Sequence, residues 1–244
     1  ADSIRFGVQG GVTGWKGLRF DGAIDGSVLE YCTITDSDER GLLIVDCRPT
    51  IVNCKFADNS TTGGGAGVWL DISSEIDLTF ADCEFSNNWA TNEGGGIYAM
   101  IDSGSVLRFE RCQFTGNGSR GHNGGGLRLV AAGGEIQLVN CLFEGNRANV
   151  NNEWANRVGG GFHVSGNGRC IVANCDIVGN TTRGYCTELY CRATGRGGGI
   201  YSSCSEFELR NCVLEGNVSR AQVNSGYSWR PAYAYGGGLY VASG

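Results

Sequence analysis

Residues 75–107 read EIDLTFADCEFSNNWATNEGGGIYAMIDSGSVL. Ile76, Leu78 and Phe80 alternate with polar residues, the period-2 pattern of a half-buried strand. A bend follows at Ala81-Asp82, and Cys83 and Phe85 point inward from a second short strand. Asn88 closes that strand in a turn. A loop leads to Gly94-Gly95-Gly96, and Ile97-x-Ala99 opens a third strand. No segment carries a 3.6-residue periodicity of useful length, which excludes helical repeats.

The same phrase recurs along the chain. Cys-x-(Phe/Ile/Leu)-x-x-(Asn/Ser) starts at Cys32, Cys54, Cys83, Cys112, Cys141, Cys175 and Cys212 and ends at Ser37, Asn59, Asn88, Asn117, Asn146, Asn180 and Asn217. A Gly-x-Gly followed by an apolar residue alternates with it, ending at Gly67, Gly96, Gly126, Gly161, Gly199 and Gly238. Self-similarity at this period means a solenoid. Three short strands per copy predict an all-β chain, a single right-handed parallel β-helix of about seven to eight rungs over residues 1–244. Parallel rungs lie about 4.8 Å apart, so like residues stack on like. Phe56, Phe85, Phe114 and Phe143 then form a core ladder. The Asn ladder is expected to hydrogen-bond backbone, or the next Asn, in a turn tolerant of left-handed conformations.

This alternation of C-x-F-x-x-N with G-G-G-I resembles the parallel β-helix repeat proteins of the pectate-lyase-like superfamily. It is also similar to surface passenger domains of the chlamydial polymorphic-membrane-protein type. The resemblance runs from about Trp15 to Val241. It implies the fold and leaves function open, because that superfamily holds lyases, hydrolases, adhesins and structural proteins.

Composition narrows the function classes. Of 244 residues, 42 are Gly and 2 are Pro, and aromatic residues are plentiful, so the glycines are turns in an ordered chain. The formal charge of −6 offers no footprint for nucleic acid. No apolar run reaches the roughly 20 residues of a membrane span. Residue 1 is Ala and no signal peptide is visible, so we expect a processed or excised form whose β-helix is uncapped at both ends.

The 12 cysteines sort into groups. The seven repeat cysteines read as small apolar filler, since parallel Cβ vectors distort a disulfide torsion and offer no tetrahedral metal geometry. Cys186 and Cys191 are a candidate loop staple, and Cys170 and Cys204, on adjacent rungs, a candidate pair. A loop disulfide implies an oxidising, extracellular or cell-surface location.

Between the turn residue and the next Gly-x-Gly the loops hold 1, 5, 5, 6, 12, 16 and 18 residues. Insertion therefore grows along one edge, in 147–158, 181–196 and 218–235. Such an edge marks a binding face in repeat proteins. It carries Trp154, Tyr185, Tyr190, Tyr227, Trp229, Tyr233 and Tyr235. Beside it, Trp69, Tyr98, Arg128, His163, Tyr201 and Tyr240 form an outward row on the third strand. Three readings of this stripe stay open: the loops cover it, another subunit packs on it, or it stacks sugar rings.

Catalytic signals are incomplete. Polygalacturonases, to judge from the resemblance, need an Asp pair, Gly-His-Gly and Arg-x-Lys; Arg120-Gly121-His122-Asn123 is only a fragment of that set. Pectate lyases need an acidic calcium cluster, and Asp36, Asp38 and Glu39 beside Arg40 read instead as a solvated turn. His122 and His163 are the only histidines, and no cofactor or metal motif appears. Asn59, Asn117, Asn180 and Asn217 stand in glycosylation sequons, but the ladder already uses their side chains.

The expectation is a secreted or cell-surface structural protein, adhesive or self-assembling, without catalytic activity. Its partners would be other copies or other surface proteins. The N-terminal edge (Ile4, Phe6) is a candidate to accept the C-terminal edge (Leu239, Val241) of the next copy, a head-to-tail contact that does not close. The alternative is a polysaccharide-binding or lyase-like β-helix acting through the aromatic edge.

Overall fold

The computed structural model describes residues 4–8, 14–22, 26–73, 75–121, 123–149, 155–186, 193–223 and 232–242, with backbone alone at 155–157, 186 and 223. Every paired strand in it runs parallel, apart from one isolated antiparallel bridge between Asp102 and Gly133. The chain is an all-β, right-handed parallel β-helix.

One face stacks eight strands, from Ile4–Phe6 through Cys32–Thr35, Lys55–Ala57, Glu84–Ser86, Gln113–Thr115, Leu142–Glu144 and Asp176–Val178 to Val213–Glu215. The strands after the glycine triplets make a second face, and the strands before each cysteine a third. The long strands Phe162–Ala173 and Ile200–Arg210 turn the corner between these two faces without a break and join them into one sheet.

The repeat explains the core. Phe56, Phe85, Phe114 and Phe143 stack at 4.8–5.0 Å between ring centroids, nearly parallel. Phe80 and Phe109, from the third face, meet Phe85 edge-on at 62° and 82°. All six rings are fully buried, and each contributes about 1.5–3 kcal/mol by leaving water. Each repeat cysteine fills the corner beside them. From Cys54 onward the thiol donates to the carbonyl of an inward residue one rung back, as Cys112 to Phe80, Cys141 to Phe109 and Cys175 to Leu138, each at 3.4 Å.

The asparagines form the ladder the repeat predicts, beside a left-handed turn. Asn59, Asn88, Asn117, Asn146 and Asn180 are buried but do not hold the left-handed backbone themselves. The residue just before each does: Asp58 at φ 55°, Asn87 at 54°, Gly116 at 66°, Gly145 at 63° and Gly179 at 63°. Short polar residues and glycine tolerate that region, which frees the ladder carboxamide to satisfy the turn. Burial at Asn59, Asn117 and Asn180 leaves those sequons no room for a glycan on the folded chain.

The growing loops are more than loops. Ser60–Thr61, Trp89–Ala90, Gly118–Ser119, Arg147–Asn149, Thr181–Cys186 and Val218–Val223 form a parallel six-stranded sheet. Ala155–Val158, Ala193–Arg196 and Tyr233–Tyr235 form a three-stranded one. Each long insertion goes out on one strand and returns on another, and successive insertions pair in register. Most rungs thus gain a fourth strand and the last three a fifth, beyond the three the sequence predicts. Backbone groups carried off the core find their partners in the next insertion. The glycine triplets sit where rungs touch: a Cβ on Gly95 would lie 2.3 Å from the Gly118 carbonyl oxygen.

Cys170 and Cys204 are both buried free thiols, so the pairing expected between them is not made. Cys204 stands opposite Gly166 and Cys170 opposite Phe207, because the strands shift register between Gly166 and Arg169. Cys204 Sγ instead lies 3.2 Å from Ser202 Oγ. Cys191 lies outside the described residues and Cys186 has only its backbone described, so the loop staple falls outside as well.

Candidate functional site

The outward row is in the expected register. Arg19, Leu43, Trp69, Tyr98, Arg128, His163, Tyr201 and Tyr240 are successive cross-strand neighbours on the second face. Side chains at i and i+2 share a face of a strand, so Met100 and Asp71 continue the surface one step along.

The rings stack along the solenoid axis. Trp69 and Tyr98 lie 6.3 Å apart at 9°, and Tyr201 and Tyr240 lie 5.4 Å apart at 8°. Arg40 sits 5.5 Å from the Trp69 ring, and Arg196 sits 5.5 Å from Tyr240 and 5.9 Å from Tyr235. Rung neighbours therefore cover the ring faces, and the ring edges point outward. This mutual cover between rungs is a fourth arrangement, distinct from the three readings of the stripe made from sequence.

A cleft of about 410 Å³ opens along those edges, lined by Gly64, Trp69, Asn92, Glu93, Tyr98 and Met100. Glu93 is fixed in its wall: Asn123 Nδ2 donates to Oε1 at 2.9 Å, and Arg128 Nε lies 3.4 Å from Oε2. Arg128 also donates to Leu129 O at 2.8 Å and Ser165 Oγ at 2.9 Å. Burial lowers the Arg128 pKa from its usual value, while the Glu93 charge works the other way. Burial likewise raises the Tyr98 phenol and, with Asp46 and Asp102 nearby, the Asp71 carboxyl. Asn92, Glu93 and Met100 were not among the residues singled out from sequence, and Arg40 was read only as part of the acidic turn. Glu93 precedes a glycine triplet and Met100 follows Tyr98 at period 2, signals too general to select them.

His163 differs from its neighbours in the row. It is 6% exposed, meets Tyr201 edge-on at 4.9 Å, and neither ring nitrogen has a hydrogen-bond partner among the described residues. Burial, then the Arg128 charge, holds its pKa well below 6.5. It is a neutral ring under a cover.

Of the loop aromatics, Tyr185 lies 5.4 Å beneath Arg183, and Tyr233 stacks on Tyr235 at 6.0 Å. Trp154, Tyr190, Tyr227 and Trp229 lie outside the described residues, as does His122. The acidic turn is paired with cations around it: Asp36 with Arg5 at 3.4 Å, and Glu39 with Lys16 at 3.6 Å and its neighbour Arg40 at 3.4 Å. Among the described residues no group of three His, Cys, Asp or Glu is placed to hold a metal ion.

The ends form a second kind of surface. The exposed large apolar side chains among the described residues are Ile4, Val28 and Tyr31 at one end and Val213, Tyr235 and Val241 at the other. Ile4, Val28, Val213 and Val241 are each 50–59% exposed. Inward residues of the same rungs, Phe6, Leu18 and Phe20 below and Leu214 and Leu239 above, are only half-buried.

A family model described as a right handed beta helix region matches residues 16–100. No curated protein and no solved structure matches the chain.

Proposed function

We propose that this right-handed parallel β-helix repeat protein is a non-catalytic structural component of a cell surface or secreted material. The observation that carries the reading is the unbroken stack of buried Phe and Asn ladders, which ties successive rungs of the described residues into one stiff unit. Adhesion to a neighbouring β-helix and assembly into a filament are its two forms. The extracellular placement rests on the Cys186/Cys191 spacing, and a thiol count with and without reductant checks it.

Negative-stain electron microscopy of native material tests the reading: filaments or rods clustered side by side are expected, and rods that stay dispersed at all concentrations would remove it.

The cleft supports a second reading, a glycan site. Two aromatic edges, a carboxamide and a fixed carboxylate suit a polar ring with apolar patches. Tryptophan fluorescence titrated with acidic and neutral glycans should respond in the native chain and not in Trp69→Ala. Flat titrations, with no unsaturated product absorbing, would dispose of it.

A further inference from the structure

We infer that the sugar fitted by the Trp69/Tyr98 cleft is an amino sugar with a free, protonated amine, and that Asp71 is the residue that selects it. The inference rests on the glycan reading of the cleft given above and adds the class of sugar.

The alternation of side chains along two neighbouring strands carries it. Trp69 and Asp71 point outward from one strand, and Tyr98, Met100 and Asp102 from the next. Asp71 is the cross-strand neighbour of Met100, which lines the cleft. Asp46 sits beside Asp71 on the adjoining rung, where its N–H donates to the Asp71 carbonyl at 3.0 Å. The surface just beyond Met100 therefore gathers the carboxylates of Asp46, Asp71 and Asp102.

The cations near the cleft are taken by other groups. Arg128 faces Glu93 and Arg40 faces Glu39, each at 3.4 Å. Among the described residues no Lys or Arg pairs with Asp46, Asp71 or Asp102. Asp46 is held by neutral donors, Ser73 N at 2.7 Å and Ser73 Oγ at 2.8 Å. Burial, then the charges of Asp46 and Asp102, raises the Asp71 pKa. A carboxylate with like charges beside it and no counter-ion behaves in that way, and a bound cation reverses the effect.

These charges sort the sugars. A uronic acid would bring a further carboxylate toward three others. A neutral sugar would leave their repulsion as it is. A protonated amine beside Asp71 relieves it and adds a charge-assisted hydrogen bond. The cleft itself, and not the acidic group, holds the rest of the ring: Trp69, Tyr98 and Met100 meet its C–H groups, and Asn92 and the fixed Glu93 meet its hydroxyls.

Tryptophan fluorescence of the native chain, titrated with a glucosamine oligomer, its N-acetylated counterpart and an oligogalacturonate, tests the inference. The free-amine oligomer should bind about tenfold more tightly than the acetylated one, one charge-assisted contact's worth. The oligogalacturonate should give no response. Asp71→Asn removes a repelled charge, so it should fold normally, and it should abolish the tenfold preference while leaving the acetylated oligomer's affinity unchanged. Trp69→Ala should abolish both responses.

Equal binding of the free-amine and acetylated oligomers, or tighter binding of the oligogalacturonate, would overturn the amine selection and leave the glycan site standing. A preference that survives Asp71→Asn would overturn the role of Asp71. Binding of the free-amine oligomer that survives Trp69→Ala would show a polycation adhering to an acidic chain of charge −6 rather than a ligand in the cleft, and would also overturn the inference. Flat titrations with all three would remove the inference and the glycan reading together.

Discussion

Oδ1 of Asn117 accepts two hydrogen bonds from Asn88, one from its backbone N–H and one from its Nδ2, each at 3.0 Å. Asn117 Nδ2 in turn donates to Phe85 O at 2.8 Å and Asn146 Oδ1 at 3.1 Å. The carboxamide spends both donors and both lone pairs on three rungs.

Replacing Asn117 by Ala orphans the Asn88 backbone N–H and strips one acceptor from the Asn88 carboxamide and one donor from the Phe85 carbonyl inside the core. Each buried unsatisfied group costs about 1–3 kcal/mol, so the loss should be about 3 kcal/mol by urea denaturation. Asn117→Asp should be no milder at pH 7, because it removes the donors and buries a charge. A loss under 1 kcal/mol for Asn117→Ala would show that the ladder is not coupled across rungs.

Gly95→Ala tests the glycine triplets. The added Cβ would meet backbone, with Gly118 N and Gly125 O at 2.5 Å as well as Gly118 O at 2.3 Å. No side chain can swing aside to relieve it. We expect a loss of more than about 3 kcal/mol, or no soluble protein, against about 1–2 kcal/mol at Gly145, where space is open and only the left-handed backbone resists a side chain.

Arg128 and Glu93 should behave as a partly buried pair, with side chains 13% and 24% exposed. Glu93→Gln leaves the guanidinium without its counter-charge and should cost about 3 kcal/mol. The double variant Glu93→Gln, Arg128→Met should recover most of that loss. Equal losses in single and double variants would mean that packing, not charge, decides this wall.

His163 supplies a pH test whose sign follows from burial. Its pKa is lower folded than unfolded, so the unfolded chain binds the proton more readily. Stability from this residue is present above about pH 6.5 and falls as pH drops through and below that value. Thermal unfolding should show a drop in Tm between pH 7 and 5 that is reduced in His163→Phe. An identical pH dependence in the variant would assign the acid sensitivity to other groups.

The one-chain repeat made the fold and the stripe legible: Cys, Phe and Asn recur because parallel rungs stack identical environments, and Trp69 to Tyr240 fell in register for the same reason. The cleft was not legible. Glu93 gains its place from Asn123, some 30 residues on, and from Arg128 beneath it. The loop edge was legible as insertion but not as strands. Thr181–Cys186 and Val218–Val223 acquire pairing only from each other, and no period marks them.

By itself the sequence determined the architecture, since a recurring apolar and turn pattern has few ways to bury itself except rung on rung. The tertiary structure alone decided which residues those rungs leave uncovered. Cys170 and Cys204 miss each other because a register shift intervenes. The aromatic faces are hidden because their rung neighbours stack on them. Exposure is a property of what lies one rung away, and that distance is set by pairing across the chain rather than along it.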